Sequence, residues 1–134
     1  MNRSQQPQRG QSQPQQFDAN QVRRAIHEGG RALVDLAEQV GKQVKNQGLT
    51  TNQIRNIYGL VKKMEMKGFD PHELIMLKPK MAYAAARASG RGAKTLSEVL
   101  SYAIDAVGSD ASNFARFVDL FEAILAYHKA AGGK

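Results

Sequence analysis

The sequence predicts an all-α fold, a compact bundle of five to six helices in one domain over residues 18–131. From Asp18 onward, apolar residues recur at spacings of three, four and seven, which is the period of one helix face. Helix-start and helix-stop residues divide this pattern into short segments. No segment shows the strict alternation of apolar and polar residues that is typical of strands.

Residues 1–17 are expected to form a disordered, Gln-rich tail. Among the first 16 residues, seven are Gln, two are Pro, and Met1 is the only large apolar side chain. Such a segment buries too little apolar surface to offset the entropy that is lost when it becomes ordered.

The first helix is predicted from Asp18 to about Gly48, with Val22 and Ile26 in its apolar stripe. The pair Gly29-Gly30 lies inside this stretch, where each Gly costs about 1 kcal/mol relative to Ala. The pair indicates either an interruption of the helix or close packing of another element against it.

The second and third helices have clear start signals. Thr50 and Gln53 have the spacing of a capping box, and the helix that follows is expected to end at Gly68. Asp70 is then predicted as the N-cap of a short third helix, with Pro71 as its first residue.

Pro79 is predicted to separate the third helix from the fourth. A residue that precedes proline is biased away from the helical conformation, so the third helix should end before Lys78. Pro79 then begins the fourth helix, which runs to about Ser89. A glycine-flanked loop follows and carries Arg91 and Lys94.

Two further helices complete the predicted bundle. Thr95 and Glu98 have capping-box spacing for the fifth helix, which should end at Gly108. Either Ser109 or Asp110 opens the sixth helix.

The positive charge of the chain, +7 overall, is concentrated in residues 49–94. This range holds nine Lys and Arg against three Asp and Glu, whereas residues 95–134 hold three against five. Such a concentration favours a polyanionic partner, and a solvated helix surface is the plain alternative. The candidate contacts with a polyanion are these nine cations: Arg55, Lys62, Lys63, Lys67, Lys78, Lys80, Arg87, Arg91 and Lys94.

Cations on two of the predicted helices surround a small residue. On the second helix the small residue is Gly59, and on the fourth it is Ala84, between Lys80 and Arg87. A small side chain leaves room for a sugar-phosphate backbone to approach the cations. We therefore expect electrostatic binding that is largely independent of base sequence.

Two tyrosines, Tyr58 and Tyr83, lie near the edges of these basic faces. Each either stacks on a nucleobase or packs at the edge of the core, and the pattern alone leaves both alternatives open.

Catalytic and metal-binding constellations are not evident in the sequence. The three histidines, His27, His72 and His128, do not pair with each other or with carboxylates at metal-ligand spacing. The chain contains no Cys, which fits a reducing, cytoplasmic location. No apolar run approaches the roughly 20 residues that span a bilayer. We expect a binding protein without enzymatic activity, cofactor or membrane partner.

Three segments in order resemble the small subunit of the type III-A CRISPR effector, the Csm complex. They are Leu49–Tyr58, Leu77–Arg87 and Phe114–Ile124, the last followed by Ala126-Tyr127-His128-Lys129. The resemblance covers roughly Leu49 to Lys129.

The resemblance implies a helical bundle without enzymatic activity, stacked in several copies along the guide RNA–target RNA duplex. It implies contacts with the backbone and large subunits of the complex and a role in antiviral defence. It carries over Arg55, Lys78, Lys80 and Arg87 as RNA contacts, whereas the other five cations are assigned from the helix faces and the charge run. The chain has Ala86 where the family often has Gly.

Two other classes of function fit the same residues. The basic faces would also suit a structural adaptor that meets acidic protein surfaces, or a small DNA-binding protein of the nucleoid or regulatory type. A homodimer is plausible because the helices are short and several have wide apolar stripes.

Overall fold

The computed structural model describes residues 15–134, and this part of the chain contains helices and no strand, which confirms the all-α prediction. The helical segments are α1 (Ala19–Glu28), α2 (Gly30–Asn46), α3 (Thr51–Lys67), α4 (Pro71–Ile75), α5 (Leu77–Arg87), α6 (Gly92–Val107) and α7 (Ala111–Ala130). Only Met76 separates the single turn α4 from α5, so the two together count as one of six helices.

The helices share one hydrophobic core. α2 and α7 pack against each other, α1 packs against α2 and α6, and the fully buried Phe117 and Phe121 of α7 fill the centre. α3 packs against α7, whereas α5 packs against α6. The outward faces of α3 and α5 therefore remain exposed.

The tail predicted for residues 1–17 falls largely in residues 1–14, which lie outside the described residues. Residues 15–17 of the predicted tail are described, and among them Phe17 is buried. The backbone N–H of Gln15 donates to Oε1 of Gln43 at 2.8 Å, and Nε2 of Gln43 donates back to the Gln15 carbonyl at 2.6 Å. Gln15 thus contacts α2.

The Gly29-Gly30 pair interrupts the first predicted helix. Gly29 has φ 64° and ψ −150°, a conformation that L-residues with a Cβ rarely adopt, and it separates α1 from α2. The side chain of Arg116 packs closely here, because its Cδ lies 3.0 Å from the position of a Cβ on Gly29. Nε of Arg116 donates to the Ile26 carbonyl at 2.5 Å, which satisfies a carbonyl at the end of α1.

Three helix starts occur where local capping signals predicted them. The hydroxyl of Thr50 accepts from the Gln53 backbone N–H, and the Gln53 side chain accepts from the Thr50 N–H, so the capping box of α3 is complete. Asp70 caps α4 with Pro71 at its first position, and Asp110 caps α7. Side-chain oxygens thus satisfy free N–H groups at each of these helix starts.

The prediction that Pro79 begins the fourth helix is wrong. α5 begins at Leu77, so Lys78 and Pro79 both lie in its first turn. Proline is tolerated there because the first four N–H groups of a helix have no intrahelical acceptor.

The capping box predicted from Thr95 and Glu98 is also wrong. α6 begins at Gly92, and the hydroxyl of Thr95, already inside the helix, donates to Oε1 of Gln47 at 2.7 Å. A Cβ on Gly92 would lie 2.7 Å from Cβ of Leu49, so only glycine fits at this helix start. A tertiary contact therefore sets the start of α6.

Candidate nucleic-acid interface

The exposed face of α3 carries Arg55 and Lys63, which form no salt bridge with any other described residue. Gly59 lies between them, one turn from each. A Cβ added to Gly59 would meet no atom within 4 Å, so this face is open. An incoming phosphate therefore meets two cations with no bulky residue between them.

Lys62 lies at the edge of this face and is already paired. Its Nζ donates to Oε1 of Glu65 at 2.5 Å, and this hydrogen bond raises the pKa of Lys62. Nζ also lies 5.9 Å from the centroid of the Tyr58 ring. Lys62 stays charged at neutral pH, but Glu65 offsets its charge locally.

Tyr58 packs at the core edge, which decides between the two alternatives left open for it. Its ring meets that of Phe121 edge-on, with 5.3 Å between centroids, and its hydroxyl donates to Glu122 at 3.2 Å. Burial raises the pKa of Tyr58, and the negative charge of Glu122 raises it further.

The exposed face of α5 carries Lys80 and Arg87, which also form no salt bridge within the described part of the chain. Tyr83 lies between them and is 66% exposed. The guanidinium carbon of Arg87 lies 5.5 Å from the Tyr83 ring centroid, and Nη1 donates to the Tyr83 hydroxyl at 3.2 Å. Ala84, predicted as the small residue of this face, is half-buried.

Acidic side chains pair with two other predicted contacts. Nζ of Lys78 lies 2.6 Å from Asp105, and Nζ of Lys67 lies 2.9 Å from Glu73. Exposed pairs of this kind contribute at most about 1 kcal/mol, so a phosphate can compete for both lysines. The sequence analysis did not predict the Lys78–Asp105 pair, because the two residues lie 27 positions apart in the chain.

The last two predicted contacts border a groove between α5 and α6. Arg91 is the loop residue that precedes α6, while Lys94 lies in the first turn of α6 and not in the loop that was predicted to hold it. Both residues are exposed. The groove has a volume of about 650 Å³, and Ala82, Ala85 and Ala86 of α5 line its other side.

The nine predicted contacts do not form one cluster. They lie on α3, on α5 and around the start of α6, and α3 and α5 are not among the helix pairs that pack extensively. Six of the nine form no ion pair with a described residue, namely Arg55, Lys63, Lys80, Arg87, Arg91 and Lys94.

The histidines make isolated contacts within the fold. Nε2 of His27 lies 2.9 Å from the Ala106 carbonyl, and Nε2 of the buried His128 lies 2.6 Å from the Leu49 carbonyl. Across residues 15–134, no three His, Asp or Glu side chains are grouped so that they could hold a metal ion. None of the described helices is long and apolar enough to cross a bilayer.

Fold and surface together define the class of protein: a small helical bundle with basic faces on two of its helices. The family model described as Csm2 Type III-A matches residues 27–134. The chain therefore belongs to the Csm2 family, the small subunits of the type III-A CRISPR effector, which confirms the resemblance seen in the sequence. Family membership implies association with the other subunits of the Csm complex. Comparisons with curated proteins and with solved structures found no match.

Proposed function

We propose that this chain is a non-catalytic subunit that binds the sugar-phosphate backbone of the guide RNA–target RNA pair without sequence specificity. The observation that carries the proposal is the set of exposed cations without an acidic partner on α3, on α5 and at the start of α6. Lys and Arg that are free of protein carboxylates release counterions from a phosphate backbone when they bind it.

The same proposal ranks the nine candidate contacts. Arg55, Lys63, Lys80 and Arg87 are the principal contacts, because each is exposed on a helix face and forms no ion pair with a described residue. Arg91 and Lys94 extend the α5 surface toward α6. Lys62, Lys67 and Lys78 contribute less, because each must first leave a carboxylate.

The remaining parts of the proposal concern the assembly. The chain packs against the backbone and large subunits and against neighbouring copies of itself, and it forms a homodimer in isolation. It acts in the cytoplasm, in antiviral defence, and needs no cofactor. The apolar stripes of the helices are buried in the core, so the support for self-association comes from the exposed apolar side chains of Met66, Ile75 and Met76.

Fluorescence anisotropy with labelled oligonucleotides tests RNA binding and separates it from the two alternatives. We expect the purified chain to bind RNA strands of unrelated sequence with similar affinity to one another, and likewise RNA duplexes of unrelated sequence. For a single strand, the logarithm of the association constant should fall by roughly 0.7 per contacted phosphate for each tenfold increase in salt.

Two outcomes would contradict the proposal. An adaptor would show no RNA affinity even at low salt, while retaining its association with the other Csm subunits. A DNA-binding protein would prefer duplex DNA to both forms of RNA at every salt concentration.

A further inference from the structure

Tyr83 is an aromatic side chain that the core does not use. It is 66% exposed, whereas the other tyrosine beside a basic face, Tyr58, packs against Phe121. An isolated exposed ring is common on protein surfaces, but a ring within a basic face is available to stack on a ligand.

The surroundings of Tyr83 favour a polyanion over a protein. Residues three before and four after it in a helix share its face, and here they are Lys80 and Arg87. No acidic residue occurs between Glu73 and Glu98, so positive charge dominates this stretch of the chain.

One face of the ring is held in place and the neighbourhood of the ring is open. The guanidinium of Arg87 lies over the ring and Nη1 donates to the hydroxyl, which orients the side chain. The flanking positions on the same helix face, Pro79 and Ala86, are exposed and offer no long side chain that would cover the ring. Among the described residues, Nε and Nη2 of Arg87 have no hydrogen-bond partner, and these donors are available to a phosphate.

We propose that Tyr83 stacks on an unpaired nucleobase while Lys80 and Arg87 contact the phosphates beside that base. The inference rests on the proposed function, because it requires α5 to meet RNA. It adds that this site takes a single-stranded or locally unpaired segment, since a base inside a continuous duplex has both faces covered by its neighbours. Stacking is tolerant of base identity, so binding remains independent of sequence.

The test compares Tyr83→Ala and Tyr83→Phe in the full chain, with Tyr102→Ala as the matched control. Tyr102 lies on α6 and is 37% exposed, outside the proposed interface. We expect Tyr83→Ala to weaken binding of single-stranded RNA by about 5- to 150-fold, the usual effect of losing one base–aromatic stack. Its salt dependence should equal that of the parent, because no charge is lost. Tyr102→Ala should bind as the parent does, and Tyr83→Phe should lose far less than Tyr83→Ala, because it keeps the ring and removes only the hydroxyl contact with Arg87.

An oligonucleotide that lacks bases provides the second arm. The parent should bind abasic RNA as weakly as Tyr83→Ala binds the normal strand, and Tyr83→Ala should lose nothing further on abasic RNA. Affinity for a continuous RNA duplex should be the same for Tyr83→Ala and the parent.

The outcomes separate this inference from the proposed function. If Tyr83→Ala binds single-stranded RNA as the parent does, while Arg55→Glu on α3 weakens it, stacking at Tyr83 is disproved and RNA binding stands. If Tyr83→Ala loses only its association with other Csm subunits, the ring is a protein contact and the inference is wrong. If the parent binds no RNA, the proposed function fails and the inference fails with it.

Discussion

Replacing Gly41 by alanine is expected to destabilise the protein by about 1–2 kcal/mol. A Cβ at Gly41 would lie 2.8 Å from Cβ of Tyr127, 2.9 Å from the backbone N of His128 and 3.0 Å from the Ile124 carbonyl oxygen. Two of these atoms belong to the backbone of α7, so α2 and α7 must move apart to admit the methyl group. Overpacking of this kind typically costs 1–3 kcal/mol, and the gain in helix propensity of about 1 kcal/mol offsets only part of it.

The same substitution at Gly59 is the matched control and is expected to have the opposite sign. Gly59 also lies inside a helix, but no atom lies within 4 Å of its added Cβ. Gly59→Ala should therefore raise the free energy of unfolding by about 1 kcal/mol. Urea denaturation of both variants measures the difference, and equal effects at the two positions would contradict the close α2–α7 packing.

Reversing the charges of Arg55 and Arg87 together is expected to reduce RNA affinity on the order of 100-fold at low salt. Each reversal replaces an attraction of about 1 kcal/mol at contact distance in water by a similar repulsion, and salt screens part of the change. Loss of two phosphate contacts should also flatten the salt dependence by about 1.4 in the logarithmic slope for a single strand. Fluorescence anisotropy across a salt series measures both quantities.

The control for this variant changes net charge equally at a different surface. Arg23 on α1 and Arg31 on α2 are exposed and lie outside residues 49–94. Arg23→Glu with Arg31→Glu should leave the slope close to that of the parent and weaken binding much less. If the Arg55/Arg87 variant and this control lose affinity equally, the total charge governs binding and the assigned residues are wrong.

Helix starts that depend on neighbouring residues could be predicted from the sequence. The Thr50/Gln53 box and the Asp110 cap are contacts within three residues, so the sequence contains the whole signal. The start of α6 depends on contacts from Gly92 to Leu49 and Gln47, more than 40 residues away. No local pattern reports such a contact, and Thr95 and Glu98 had capping spacing without forming the cap.

The same distinction applies to the candidate site. The charge run identified the cations, but only the fold shows that Asp105 meets Lys78 and that Lys80 remains unpaired among the described residues. In the sequence, Tyr58 and Tyr83 both lie beside basic residues, so the pattern predicted the same two alternatives, base stacking or packing at the core edge, for each. Their different burial follows from packing, because α7 covers the Tyr58 ring and none of the described helices covers the Tyr83 ring.

Cross-linking within the assembled Csm complex tests most directly whether the α3 and α5 faces meet RNA. A photoreactive amino acid would replace Lys63 or Lys80 in turn, with the exposed Asp119 of α7 as the control position. After irradiation with guide and target RNA bound, we expect RNA adducts from both cationic positions and few from Asp119. If the photoreactive residues that replace Lys63 and Lys80 cross-link only to protein subunits and not to RNA, the account is contradicted and an adaptor is favoured.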